Sequence, residues 1–249
     1  FAIASADIEE QRALEILKDS FPKYQGNEYK FSNIWSSKNR AGLLKYAEHL
    51  RGFADLSFIY IAVKRFAVLT KIVDFLIEPY MTDAGFDFYG DGFCWKYTNY
   101  IHFGFTQFAP PELLDALLRN YQAFSRNPSL ESLALLHSQL QIMAASSDEP
   151  VQIFLEQMEL GARLFLEYND IDSFGGSDEL QTTTMFAIVS YWRKKYSEDF
   201  AVVHDASSNF LRSREMWERV TSVNVPQQLH RGGDGSFVEF PLRVVSTTP

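Results

Sequence analysis

The chain has 249 residues, 46% of them apolar and 15% aromatic, which suffices for one large domain or two small ones and excludes disorder as a global description. Against 23 Lys and Arg stand 32 Asp and Glu, a net charge of −9, so the overall field repels polyanions and any nucleic-acid contact needs a local basic patch or metal ions. A single cysteine, Cys94, excludes an intrachain disulfide and Cys-x-x-Cys zinc sites and fits a reducing, cytoplasmic compartment, and no apolar run reaches the roughly 18–20 residues of a membrane span.

The first six residues, Phe1 to Ala6, read as a buried strand of small residues. Asp7 and Glu10 have the spacing of a capping box, and Leu14, Leu17 and Phe21 then share a helical face that Pro22 ends. Residues 23–37 are irregular and contain Glu28-Tyr29-Lys30. Lys38 to Arg51 reads as a helix closed by Gly52. Leu56 to Val63 is almost continuously apolar, as a central strand covered on both faces would be.

Val68 to Glu78 reads as a helix stopped by Pro79. The stretch 81–108, rich in Phe, Tyr, Gly and Asp, resists assignment. Three leucine-rich helices follow: Pro111 to Phe124 with prolines suited to its first turn, Ser129 to Ala145, and Asp148 to Tyr168. Residues 169–177 form a loop, and Asp178 to Tyr196 a long helix.

The strand signal then returns at Phe200 to Asp205. A helix is expected over Ser208 to Val220, a turn at Gly232-Gly233-Asp234-Gly235, and a strand over Phe237 to Val245. The order is β-α-α-β, a helical block, then β-α-β. This predicts an α/β sheet core from residues 1–65 and 197–249, interrupted by a helical insertion at 66–196. Both ends read as core strands, whereas chain termini are usually polar and exposed, so a fragment of a longer protein is expected.

Open α/β sheets carry their chemistry at the carboxyl ends of strands, and His204-Asp205-Ala206-Ser207 lies at such an end. A carboxylate there suits a metal ligand or general base. An Asp before a helix is also commonly just an N-cap, and the residues alone leave both readings open. Glu28 and Lys30, two apart, face the same way in an extended segment. A solvated charged loop accounts for them equally well.

Taken in order, these segments resemble the bacterial family catalogued as domain of unknown function 3800. Phe1–Ala6 looks like that family's second strand, Glu28 with Lys30 like its Glu-x-Lys motif, and Val202-Val203-His204-Asp205-Ala206-Ser207 like its later strand ending in Asp. The similarity covers most of the chain outside the helical insertion. The family's Asp-Glu-Ser-Gly strand and its closing Gln-x-Ala-Asp helix do not occur in this sequence; both would lie beyond its ends.

What the resemblance implies is a ribonuclease-H-like mixed sheet with a large helical insertion, whose carboxylates converge on Mg²⁺ or Mn²⁺, and a metal-dependent nuclease or phosphodiesterase acting on nucleic acid. Hard divalent cations take oxygen ligands, and two-metal phosphodiester cleavage needs no thiolate. On this expectation Glu28 and Asp205 are metal ligands, and Lys30 orients Glu28 or contacts a phosphate. His204 alternates to the opposite face of the strand and is not counted.

Two basic clusters are candidates for a phosphate backbone: Arg193-Lys194-Lys195, which also suits a helix C-terminus, and Arg212, Arg214 and Arg219 on the helix after Asp205. Asp83, Asp87 and Asp91 lack the order of a calcium loop, and Gly232 to Ser236 lacks the Lys of a phosphate-binding loop. His49, His102, His137 and His230 are scattered, and Arg163 four residues after Glu159 explains the Glu156/Glu159 pair as ion pairing. The aromatics of Phe86 to Phe108 read as core packing before a stacking platform. Beside the nuclease reading stand a non-catalytic module that binds a protein partner through the helical insertion, and an enzyme acting on a small phosphorylated substrate.

Overall fold

In the computed structural model the described residues are 2–26, 29, 31–171, 174, 180–204, 214–231 and 236–248. Strands lie toward the two ends of the chain and an extensive helical region lies between them, a mixed α/β architecture with small, open sheets. The chain divides into two compact units, Ala2–Ile61 and Ala62–Pro249.

In the first unit, β1 (Ala2–Ala6) pairs antiparallel with β2 (Ser57–Ile61), Ala2 opposite Ile61 and Ala6 opposite Ser57. The Asp7 N–H continues the ladder by donating to the Leu56 carbonyl at 2.8 Å. That bond holds Asp7 in the strand pairing, and α1 (Glu10–Ser20) begins two residues later than expected, with Glu9 rather than Asp7 as its N-cap. Among the described residues the two strands pair only with each other. The expected central strand is therefore open: Ile59 is 61% and Ile61 73% exposed, and the alanines of β1 are exposed as well. A short helix α2 (Phe31–Ile34) precedes α3 (Arg40–Arg51), which packs on α1. Gly42 permits that approach, because a β-carbon there would lie 2.6 Å from the Ser20 carbonyl oxygen.

The second unit opens with α4 (Lys64–Ile72), one wide π turn (Val73–Ile77) and α5 (Glu78–Asp83). Pro79 does not stop this helix. It sits in the first turn of α5, where its missing N–H is tolerated, and the wide turn before it changes the hydrogen-bond spacing. The unassigned aromatic stretch contains α6 (Phe93–Phe108), a helix hidden by its lack of an aliphatic stripe. Next come α7 (Pro111–Arg126), α8 (Leu130–Ala145) and α9 (Glu149–Tyr168). The α8 cap is reciprocal: the Ser132 N–H donates to Ser129 Oγ, and the Ser129 N–H to Ser132 Oγ, both at 3.1 Å. These helices enclose one core that includes Ile72, Ile77, Ile101, Leu117, Leu136 and Leu155, all fully buried.

The rest of this unit comprises α10 (Leu180–Lys195), β3 (Phe200–Val203), α11 (Arg214–Thr221), β4 (Gln228–Arg231), β5 (Phe237–Phe240) and β6 (Val244–Thr248). β3 runs parallel to β6, and β4 antiparallel to β5. The single strand expected over Phe237 to Val245 is thus two, which pair with different partners. They are separated at Pro241, which has no N–H to donate, and at Arg243 with φ of +53°. β4 is exposed and has Leu229 as its one apolar residue, so it carried no apolar alternation to read. A second small core joins these elements, with Phe186 of α10 stacked on Trp217 of α11 at 5.5 Å.

Candidate functional site

The residues expected to bear the chemistry fall at the margins of what is described. Glu28, Lys30, Asp205 and Arg212 lie outside the described residues, as does the turn Gly232–Gly235. Arg214 opens α11, and its side chain is likewise outside the description. What surrounds them is definite. Tyr29, between the two predicted site residues, packs its ring on Tyr24 at 4.9 Å and on Phe21 at 6.3 Å. Phe21 is buried and also meets Tyr46 at 6.2 Å. Tyr29 thus belongs to a group of aromatic rings in the first unit.

On the other unit, β3 ends at Val203 and His204 follows it. Its pairing with β6 is parallel, with Val202 opposite Thr247 and Val203 opposite Thr248. His204 thus follows the carboxyl end of a strand in a parallel pair, the end where such sheets usually present chemistry. Beyond it, Arg219 is exposed on α11 and, with Glu218, Ser222 and Val225, lines an open cleft of about 440 Å³.

The other basic cluster is used within the fold. Arg193 donates to the carbonyls of Ser197 and Glu198 at 3.0 and 2.9 Å, and Asp199 lies 3.5 Å away. Lys195 sits over the Trp192 ring at 5.1 Å. These are the interactions of a helix C-terminus. Glu159 is engaged across helices: His137 and Gln141 of α8 approach its carboxylate at 3.2 and 3.3 Å. Burial pushes that carboxyl up, but the bonds from Gln141 and His137 and the charge of Arg163 prevail and hold it below its ordinary range. The spacing to Arg163 anticipated an ion pair; His137 and Gln141 are the direct partners.

Sequence reasoning missed a polar cluster at the π turn. Asp74 lies 3.3 Å from Lys71 Nζ, and the Cys94 thiol donates to Asp74 Oδ1 at 3.9 Å. Burial is the largest influence on Asp74 and pushes its carboxyl up against the pull of Lys71. Burial, then the carboxylates of Asp74 and Glu78, push the Cys94 thiol up to about 12. Tyr89 is raised by burial first, then by Asp74, Glu78 and Cys94. Burial and the neighbouring carboxylates thus keep the Cys94 thiol poorly nucleophilic. Only the departure from regular helix at Val73–Ile77 marks the place, and the sequence signal for it was Pro79. Among the described residues no group of three or more His, Cys, Asp or Glu converges as a metal site, and no helix is long and apolar enough to cross a membrane.

A protein-family model, a curated protein or a solved structure that matches the chain was not found.

Proposed function

We propose that the protein is a divalent-metal-dependent nuclease or phosphodiesterase of ribonuclease-H-like type, acting on nucleic acid. Glu28 and Asp205 hold Mg²⁺ or Mn²⁺, Lys30 orients Glu28 or contacts a phosphate, and Arg212 and Arg214 bind the phosphate backbone. The observation that supports this reading is the parallel pairing of β3 with β6, whose carboxyl end at Val203 lies two residues before Asp205 in the sequence. The order of Glu28-x-Lys30 and the later strand with its Asp, which resembles the family of domain of unknown function 3800, supports it. The bound ion supplies Lewis acidity at the phosphodiester. The chain's own part is to fix two carboxylates for that ion and to neutralise the flanking phosphates. The test is cleavage of labelled single- and double-stranded substrates in Mg²⁺ and in EDTA. Activity should require the metal and fall at least about a hundredfold in Asp205→Asn, with the thermal midpoint nearly unchanged. A large loss of stability with activity retained would make Asp205 a helix cap.

A second reading, a non-catalytic module that binds a protein partner, is favoured by α8. Its inner face buries Leu133, Leu136, Leu140 and Met143, yet Leu130, Leu135 and Ile142 are exposed on its outside.

A further inference from the structure

In a chain of net charge −9, the packed helices α4 and α6 contain no Asp or Glu. They carry Lys64, Arg65, Lys71, Lys96 and His102 instead. Arg65 is held by Asp115 at 2.6 Å and Lys71 by Asp74. Lys64 and Lys96 are exposed and form no ion pair with any described residue.

Aromatic rings lie on the same two helices. Phe66 of α4 meets Trp95 of α6 edge-on at 5.3 Å and His102 at 5.4 Å, so one ring cluster spans both helices. Trp95 is 51%, Phe103 59% and Tyr100 69% exposed. At 100° per residue Trp95, His102, Phe103, Lys96 and Tyr100 share one side of α6. The one aliphatic residue of α6 with a branched side chain, Ile101, is fully buried on the other side.

We infer that this α4–α6 face binds single-stranded nucleic acid, its aromatics stacking on bases and Lys64 and Lys96 meeting phosphates. The inference deepens the nuclease reading, and rests on it, by naming the form of substrate. Charge complementarity selects a polyanion: this is a basic surface on an acidic protein. Trp95, Tyr100 and Phe103 with Lys96 among them offer rings that stack on bases of any sequence beside a cation for the backbone.

The test is fluorescence anisotropy of the full chain with a labelled oligothymidylate of about 16 nucleotides, in EDTA and at low salt. Because no metal-dependent cleavage occurs in EDTA, failure of this surface and failure of the metal site register separately. Trp95→Ala with Phe103→Ala should weaken binding about tenfold or more. Lys64→Gln with Lys96→Gln should weaken it and reduce the slope of log affinity against log salt by about 1.4, or about 0.7 per phosphate contact. All four side chains are exposed, and circular dichroism of both variants guards against a folding artefact. No binding by the native chain, unchanged affinity in both variants, or tighter binding of an acidic peptide or of duplex DNA than of the single strand would overturn the proposal.

Discussion

Gly161 of α9 lies so close to Leu76 in the π turn that a β-carbon at position 161 would overlap the Leu76 carbonyl oxygen. The neighbour is backbone within a buried core and cannot rotate away. Gly161→Ala should therefore cost about 2 kcal/mol or more, read from urea unfolding. Gly85→Ala is the control. It has φ of +87° but nothing near its β-carbon, so it should cost only about 1 kcal/mol of backbone strain.

Asn169 donates its side-chain amide to the Phe75 carbonyl at 3.3 Å. Phe75 lies four residues before Pro79, which has no N–H to offer it. Asn169→Ala should leave that acceptor without its side-chain donor and cost about 1–3 kcal/mol. In a Pro79→Ala background the backbone regains a donor, so the cost of Asn169→Ala should shrink. A double-mutant cycle with zero coupling would show that Asn169 does not serve Pro79's missing bond.

The contrast between Pro79 and the helices after it shows what the sequence made legible. Pro110, Pro111 and Ser129 marked true helix starts because they act on their own first turn. Pro79 was misread as a stop because it sits in the first turn of α5, after a wide turn that no other local residue pattern announced. Asp7 was misread as a cap because its N–H is taken by Leu56 from the partner strand. α6 was missed because its core face is Cys94, Tyr97, Ile101 and Phe105 rather than leucines. Of the candidate site, the sequence indicated that a strand would precede Asp205. The Asp74–Cys94 contact was not legible, since twenty residues and an unassigned loop separate its members.

Two carboxyls should give opposite pH slopes. Lys45 at 2.6 Å and His49 at 2.7 Å hold Asp19 below its ordinary range, chiefly through hydrogen bonds and Lys45 first. Its unfolded pKa is about 3.8. The stability it contributes is present above that value and is lost as pH falls through the lower folded value. Asp19→Asn should flatten the acid limb of the stability curve of the native chain. Asp74 is the reverse. Its folded pKa is raised by burial above 3.8, so ionising it weakens the fold as pH rises from 3.8 toward the folded value. Relative to the native chain, Asp74→Asn should gain stability as pH rises through that window. Denaturant titrations at a series of pH values check both, and matching slopes in native chain and variant would contradict the assignment.

The proposed activity stands on Glu28 and Asp205 serving one divalent ion. Electron paramagnetic resonance titration with Mn²⁺ tests that most directly, in the full-length native chain and in Glu28→Gln and Asp205→Asn. Saturable Mn²⁺ binding that weakens at least about tenfold in each single variant, with circular dichroism unchanged, is the predicted result. Equal Mn²⁺ binding in all three proteins, or none in the native chain, would contradict it.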